Sequence, residues 1–147
     1  MSNEATVQSN LNIRKSTSAG VIVLEYRSNP TMFRADVAGT NGPTPGAVTV
    51  DVGPGTDISL DQLTSLGGLC WLQNMDDGNY VEYGIYDTST TEFYPLGELL
   101  PGETALLRLS RNLQKEYVGT GTGASGARLR FKANTAACVV RVDAFDP

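Results

Sequence analysis

Carboxylate pairs are the first candidates for chemistry in this chain, because two acids in one site can act as general acid and base. Asp57 and Asp61 form one candidate pair, and Glu98 and Glu103 form another. Both pairs lie in turn-like segments, where acids are usually solvated. The chain has no histidine, which excludes Ser-His-Asp and Cys-His catalysis. We therefore predict no catalytic residues and no enzymatic activity.

The two cysteines are the next candidates. Cys70 and Cys138 each lie in an apolar, strand-like run, LCWL and ACVV. Without histidine, two thiols cannot form an ordinary zinc site. Their setting is typical of small buried apolar side chains. A disulfide between them is disfavoured in a cytoplasm, but the sequence leaves their pairing open.

Oxygen ligands for a metal are also present in the middle of the chain. They are Asp76, Asp77, Asn79 and Asp87. Their spacing does not match the calcium-binding loop of an EF-hand. Asp and Asn side chains in turns commonly accept hydrogen bonds from their own backbone. We expect that role here, and we predict no metal site.

A glycine motif raises the possibility of a dinucleotide cofactor. Gly121, Gly123 and Gly126 match the pattern GxGxxG. That motif binds a dinucleotide only where a helix begins directly after it. The residues that follow it here alternate between apolar and basic types, which predicts a strand. We therefore predict no cofactor.

The most one-sided charge feature is a row of basic residues near the C-terminus, formed by Arg128, Arg130 and Lys132. The residues between them are apolar, so one strand face is predicted to be buried and the other basic. The basic face is either a solvated or protected edge, or it contacts an acidic partner. These three residues are the candidate partner-contact residues.

Aromatic side chains offer a second kind of binding surface, the stacking of sugar rings. The candidate residues are Trp71, Tyr80, Tyr83, Tyr86 and Tyr94. More often such a set packs in the core and on sheet faces. An exposed Trp71 would favour a binding module, and a buried Trp71 would favour a structural protein.

Composition limits the class of protein. The chain has 147 residues, 40% apolar and 18% charged, which suits one domain with a buried core. Its net charge of -5 argues against nucleic-acid binding through phosphate neutralisation. No apolar run reaches the length of a membrane span. The N-terminal MSNEATVQSN lacks the parts of a signal peptide, so we expect synthesis in a cytoplasm.

The elements that position these residues are predicted to be strands. Glycine and proline break the chain into short segments without sustained 3.6-residue periodicity. We expect about nine or ten short strands, as in an all-β, antiparallel β-sandwich of immunoglobulin-like or jelly-roll type. A closed barrel is the second choice. Residues 1–14 are predicted to be an N-terminal arm and possible first strand, and residues 15–147 a single sandwich domain.

The centre of the chain, residues 69–109, is predicted to be a four-stranded antiparallel meander. Its turns are expected at Asp77-Gly78, at Asp87-Thr88-Ser89-Thr90, and at Pro101-Gly102. Pro95 indicates a strand near a sheet edge or a strand end. The last of the four strands lacks clean alternation, which predicts partial burial of both its faces.

Four other segments have specific predictions. Residues 21–26, VIVLEY, are predicted to be a buried strand. Residues 32–37 and 47–52 alternate, with valines 48, 50 and 52 of the second segment pointing inward. Residues 56–66 are expected to form a short strand and then a turn of helix, with Asp61 as its N-cap.

Two stretches carry a resemblance to a known family. They are GLCWLQNMDDGNYVEYGIYDTSTTEFYPLGELLPGETALLRLSRN and ARLRFKANTAACVVRVDAF. Their motifs NxDDxNYVEYG, FYPLGELLPGE and KANTAAC resemble small structural proteins encoded in the morphogenesis regions of tailed phages. The resemblance covers about the C-terminal half to two-thirds of the chain and implies no catalytic residues.

The resemblance implies a virion component in the head, neck or tail. Small size, acidic charge and a sandwich fold favour a decoration (cement) protein that stabilises the phage head by protein contacts. Its expected partners are the major capsid protein, or neck or tail proteins, and further copies of itself, with a trimer favoured. Polar loops at residues 39–46 and 119–126 could lie across a neighbour. The alternative is a tail or neck component, such as a carbohydrate- or receptor-binding module.

Overall fold

The computed structural model describes residues 5–17, 20–27, 31–33, 43–114 and 126–147. All regular elements in these ranges are β-strands, and the chain divides into two compact units, Met1–Ala38 and Gly39–Pro147. The sequence placed the start of the sandwich domain earlier, at residue 15. That residue lies inside strand β2 (Asn10–Thr17), which pairs within the N-terminal unit.

Two four-stranded antiparallel sheets form the C-terminal unit. The strands of the first sheet are, in spatial order, β10 (Thr104–Arg108), β7 (Leu69–Asn74), β12 (Cys138–Ala144) and β5 (Thr44–Val50). Those of the second sheet are β6 (Thr56–Asp57), β11 (Ala127–Ala133), β8 (Val81–Asp87) and β9 (Glu92–Leu99). Both sheets are open, so each has two edge strands.

One apolar core is built from both sheets. Successive side chains of a strand point to opposite faces, and in β12 the buried set is Cys138, Val140, Val142 and Ala144. The buried set of β11 in the other sheet is Leu129, Phe131 and Ala133. Both sets belong to the same buried cluster. This arrangement confirms the predicted all-β, antiparallel β-sandwich.

The predicted central meander is wrong. β7 pairs with β10 and β12, whereas β8 pairs with β9 and β11. The chain therefore crosses from the first sheet to the second after Asn74, and it crosses back after Leu99. A strand with one apolar face can bury that face against the core from either sheet. Consecutive strands can therefore belong to different sheets and still contact the same core.

The second crossover uses the predicted turn at Pro101-Gly102. Gly102 has a φ of 76°, and the amide of Glu103 donates to the carbonyl of Leu100 at 2.9 Å. A positive φ at the third residue is what a type II turn requires. The turn is therefore confirmed, although it joins strands of different sheets.

The first crossover does not use its glycine in the predicted way, since Gly78 has no positive φ. It is held instead by Asn74, which is 0% exposed. The side-chain amide of Asn74 donates to the carbonyls of Asn79 and Leu99, at 2.7 and 3.1 Å. Its side-chain oxygen accepts from the amide of Asp76 at 3.0 Å. One buried polar side chain thus fixes where the chain leaves the first sheet.

The hairpin of β8 and β9 forms at the predicted polar turn. Its pairing contains a β-bulge, because Tyr83 pairs with Gly97 and Gly84 pairs with Pro95, which leaves Leu96 as the extra residue. Bulges and prolines both protect a free sheet edge from further pairing. The edge position of β9 agrees with the prediction made from Pro95.

Two predictions about side-chain direction are wrong in part. Val50 is buried and Val48 is half-buried, but Val52 lies beyond the end of β5 and is 40% exposed. In β10, half-buried Ala105 and Leu107 alternate with exposed residues. Only one face of β10 is therefore covered, because the strand contacts the core from one side.

The predicted turn of helix in residues 56–66 is absent. After β6 the chain is irregular, and the amide of Leu63 donates to the carbonyl of Leu60 in a turn. Both leucines are buried in the core, so apolar anchoring fixes this segment. Asp61 caps no helix and accepts a hydrogen bond from the hydroxyl of Ser59 at 2.8 Å.

The N-terminal unit contains two two-stranded antiparallel sheets. β1 (Ala5–Val7) pairs with β4 (Thr31–Phe33), and β2 pairs with β3 (Gly20–Arg27). The rest of the strand predicted at residues 32–37 lies outside the described residues, as do residues 39–42 and 119–125 of the two predicted loops.

The predicted burial of residues 21–26 is wrong where the structure describes the side chains. Val23, Leu24 and Tyr26 are 56%, 45% and 60% exposed. Both faces of a two-stranded ribbon are open unless another layer packs on it. An apolar sequence therefore forms a strand here without forming part of a core.

Candidate functional site

Arg128 and Arg130, two of the three candidate partner-contact residues, meet an acid of the same chain. The edge strand β6 aligns Asp57 directly opposite Arg130. Nη1 of Arg128 lies 3.2 Å from Oδ2 of Asp57, and Nε of Arg130 lies 2.5 Å from Oδ1. The side chains of Arg128, Arg130 and Asp57 are only 11%, 12% and 4% exposed. One carboxylate thus pairs with two largely buried guanidinium groups.

Arg130 makes two further contacts. Its Nη1 donates to the carbonyl of Pro54 at 3.0 Å, and its Cζ lies 3.2 Å from the centre of the Tyr86 ring, in a cation–π arrangement. The residue opposite Arg130 on β8 is Gly84. A Cβ at Gly84 would lie 2.1 Å from the carbonyl oxygen of Tyr94. Glycine here therefore allows β8 and β9 to approach closely.

Lys132 differs from the two arginines. Its register partner on β8 is Glu82, and it is half-buried. The ion pairs found among the described residues are Arg128–Asp57, Arg130–Asp57 and Arg141–Asp143. Contact of the basic row with a partner stays a prediction. The geometry gives the two arginines a partner within the chain, on the face of the second sheet that points away from the core, and leaves the charge of Lys132 outside these pairs.

The acids of the two candidate carboxylate pairs lie in separate local interactions. Asp57 is held by the arginines and Asp61 by its own turn. Oε2 of Glu103 accepts from the amide of Leu100 at 2.8 Å, which supports the turn between β9 and β10. Glu98 lies on the edge strand β9 and is exposed. Three of the four acids thus have a structural partner nearby.

Two of the predicted turn acids, Asp76 and Asp87, accept hydrogen bonds within their turns, whereas Asp77 accepts none among the described residues. Oδ1 of Asp76 accepts from the amides of Gly78 and Asn79, at 2.8 and 2.6 Å, and these bonds lower its pKa. Oδ1 of Asp87 accepts from the hydroxyl and the amide of Ser89, which lower its pKa in the same way. Hydrogen bonds to the charged form stabilise it. Within the described ranges, no group of three or more His, Cys, Asp or Glu residues could hold a metal ion.

Cys70 and Cys138 are both free and buried, which answers the question of their pairing. Burial, with a smaller contribution from the negative charge of Asp143, raises the pKa of Cys70 to about 12. Burial also raises the pKa of Cys138. The nucleophilic form of cysteine is the thiolate, so both thiols are protonated and unreactive at neutral pH.

The five aromatic residues do not form one surface. Trp71 belongs to the first sheet, whereas Tyr83, Tyr86 and Tyr94 belong to β8 and β9 of the second. Tyr83 packs against Phe131 with ring centroids 6.1 Å apart. Tyr86 lies against Arg130, as described above. A sugar-stacking surface made of the whole set is therefore excluded by the sheet topology.

Trp71 combines exposure with polar neighbours on one face of the first sheet. Its side chain is 41% exposed, and its cross-strand neighbours are Leu106 on β10 and Asp143 on β12. Leu106 is 40% exposed. Nε of Arg141 donates to Oδ2 of Asp143 at 2.7 Å. An aromatic ring, an aliphatic side chain and a paired acid and base thus share one face of the first sheet.

A further exposed apolar surface lies on the hairpin of β2 and β3. Register pairs Leu11 with Tyr26 and Ile13 with Leu24, so these four side chains share one face of the ribbon. They are 54%, 60%, 42% and 45% exposed in that order. We call these four residues the apolar hairpin face. Contiguous apolar surface of this kind is typical of contact with another protein.

Comparison with protein-family models, with curated proteins and with solved structures finds no match for this chain. No helix in the described part of the chain is long and apolar enough to cross a membrane. The exposed surfaces described above that offer contacts to another molecule are the face of the first sheet around Trp71 and the apolar hairpin face.

Proposed function

We propose that this protein is a non-enzymatic structural component of a tailed-phage virion, which decorates the capsid and stabilises the head by protein–protein contacts. It is made in the host cytoplasm and acts as a homo-oligomer, with a trimer favoured. Its partners are the major capsid protein, or neck or tail proteins. In the sequence, the resemblance of NxDDxNYVEYG, FYPLGELLPGE and KANTAAC to phage structural proteins supports this role.

The apolar hairpin face is the structural observation that carries the proposal. A two-stranded ribbon is at best marginally stable in water, and burying its apolar side chains against another protein would stabilise it. Large exposed apolar patches on a soluble protein usually mark a site of interaction with another molecule. The hairpin thus has the properties of an element that becomes fully stable only in an assembly.

Co-sedimentation of the full-length protein with empty capsids of its parent phage tests the proposal. We expect saturable, stoichiometric binding. Replacing Leu11 and Leu24 by Ser should weaken this binding at least tenfold, because it removes apolar area that the assembly on the capsid buries. The matched control replaces Leu100 and Val139, which are 46% and 40% exposed on the C-terminal unit, by Ser.

Two results would contradict the decoration role. One is the absence of wild-type protein from the capsid pellet at every concentration tested. The other is equal capsid binding by the L11S/L24S variant and the control, which would show that the hairpin takes no part in assembly on the capsid.

A second candidate function is a carbohydrate- or receptor-binding module of a phage tail or neck. The exposure of Trp71 favours it, because an indole ring open to solvent can stack on the apolar face of a sugar. The paired side chains of Arg141 and Asp143 lie close enough in register to offer hydrogen bonds to sugar hydroxyls. This candidate uses the first sheet of the C-terminal unit and does not involve the hairpin.

Fluorescence titration with oligosaccharides from the surface of the phage host tests this second candidate. Trp71 is the only tryptophan in the chain, so a change in emission reports on this face. We expect saturable quenching of the Trp71 emission in the wild type. Calorimetry, which needs no tryptophan, should show that Trp71→Ala no longer binds the oligosaccharide. A flat titration with every host oligosaccharide, together with stoichiometric capsid binding, would decide for the decoration role.

A further inference from the structure

A second exposed surface lies around the β-bulge of the edge strand β9. Glu82, Pro95, Leu96, Gly97 and Glu98 line an open depression of about 290 Å³. Leu96 is 68% exposed, the largest value for any large hydrophobic side chain among the described residues. We call these five residues the acidic bulge surface. It combines an exposed aliphatic side chain with two carboxylates.

The two carboxylates of this surface oppose each other. Glu82 and Glu98 are direct cross-strand partners, and like charges in that position destabilise a sheet. Neither takes part in an ion pair within the described parts of the chain. Lys132 is the register neighbour of Glu82 on the other side. A cationic group from another molecule would relieve the remaining repulsion between the two acids.

The hairpin of β2 and β3 has the complementary chemistry. Its apolar face is backed on the reverse side by exposed Arg14 and Arg27, with Glu25 as the one acid of the ribbon. Long arginine side chains can extend past the edge of a narrow ribbon while their stems cover apolar surface. Residues 5–33 contain three basic residues and one acid, whereas the described residues of the C-terminal unit contain six basic residues and twelve acids. Charge therefore favours contact between a hairpin and a C-terminal unit over contact between two hairpins.

We propose that the hairpin of one copy of this chain docks on the acidic bulge surface of a second copy. The apolar hairpin face covers Leu96, while Arg14 and Arg27 extend from the reverse side past the edges of the ribbon toward Glu82 and Glu98. This inference rests on the proposed function, since it names the contact that builds the homo-oligomer. The contact joins two different surfaces and is therefore heterologous, so repeated contacts close into a ring, such as a trimer, when the rotation between copies allows.

Sedimentation velocity of the full-length protein tests this contact with two charge-reversed variants. We expect the wild type to associate in a concentration-dependent way. Arg14→Glu with Arg27→Glu should weaken association at least tenfold, and so should Glu82→Lys with Glu98→Lys. An equimolar mixture of the two variants should associate again, because each basic surface then meets an acidic one on the other variant.

The controls separate this contact from altered folding and from net charge. Glu82→Gln with Glu98→Gln removes the acids without reversing them and should weaken association less than the lysine variant. Asp61→Lys with Asp77→Lys makes the same change of net charge elsewhere on the C-terminal unit and should associate like the wild type. Thermal unfolding of each variant establishes that the fold is retained.

Three outcomes would overturn the inference. The first is a wild type that stays monomeric at all concentrations. The second is normal association of the folded E82K/E98K variant. If R14E/R27E then fails to associate, the contact is between two hairpins. The third is failure of the mixture to associate. Stoichiometric capsid binding in any of these cases would leave the decoration role in place, so the two proposals fail separately.

Discussion

The strands β12 and β3 are similar in sequence and opposite in environment. CVVRVDA and GVIVLEYR are both rich in valine, and both carry charged residues in their C-terminal halves. Val142 in β12 is 0% exposed, whereas Val23 in β3 is 56% exposed. β12 lies at the centre of a four-stranded sheet that is covered on one side, and β3 has only β2 beside it. β-Branched residues thus specify a strand, but burial requires a second layer.

Matched leucine truncations should show the largest difference between the two regions. Leu72 on β7 is 0% exposed, and Leu24 on β3 is 45% exposed. Leu72→Ala leaves a cavity in the core and should lower the free energy of unfolding by about 2 to 5 kcal/mol. Leu24→Ala should change it by no more than about 0.5 kcal/mol in dilute monomer. Urea unfolding of the full-length protein measures both values, and equal losses would show that the hairpin face is covered within one chain.

A comparable contrast should hold for charged groups. Asp57→Asn removes the negative charge that faces two largely buried arginines, and this should cost about 3 kcal/mol because the guanidinium groups remain buried. Arg141→Gln breaks an ion pair whose arginine side chain is 50% exposed, and this should cost less than about 1 kcal/mol. Urea unfolding distinguishes the two values. Similar small losses would mean that Arg128 and Arg130 are solvated and available to a partner.

Local patterns in the sequence were sufficient for the fold class and for much of the strand content. Alternation identified the buried face of β11, and Pro101-Gly102 identified a turn with positive φ at its glycine. These features depend on residues that lie next to each other in the chain. Their physics is therefore visible in any window of a few residues.

Long-range pairing could not be obtained in this way. Asp57 and Arg130 are separated by 73 positions, so the basic row looked uncompensated in the sequence. The same limitation produced the wrong meander, because turn residues do not show whether the next strand joins the same sheet or the other one. Asn74 carried a weak local signal, a polar residue that ends an apolar strand before Asp76, but its contact with Leu99 depends on tertiary structure.

Backbone strain at the second crossover should have a moderate effect. Gly102 has a φ of 76°, and a Cβ placed there would meet no atom within 4 Å. Gly102→Ala should therefore cost only the conformational penalty of a left-handed residue, about 1 to 2 kcal/mol. Gly102→Asn should cost less, because asparagine adopts this conformation more readily. Thermal unfolding measures both, and an unchanged midpoint in Gly102→Ala would refute the turn geometry.

The smallest expected effect concerns the turn acid Asp76 and the dependence of stability on pH. Hydrogen bonds from the amides of Gly78 and Asn79 hold its pKa below the ordinary value of 3.8. A carboxyl group whose pKa is lower in the folded state stabilises the fold above its unfolded pKa, and that contribution is lost as the pH falls through the folded pKa. Below about pH 4, the thermal unfolding midpoint should therefore decrease less steeply with falling pH in Asp76→Asn than in the wild type. Asparagine keeps a hydrogen-bond acceptor at this position but cannot titrate. The control is Asp77→Asn, because Asp77 is an exposed neighbour that accepts no hydrogen bond among the described residues. If the pH profile of Asp76→Asn is identical to that of the wild type, this turn does not contribute to the acid sensitivity of the fold.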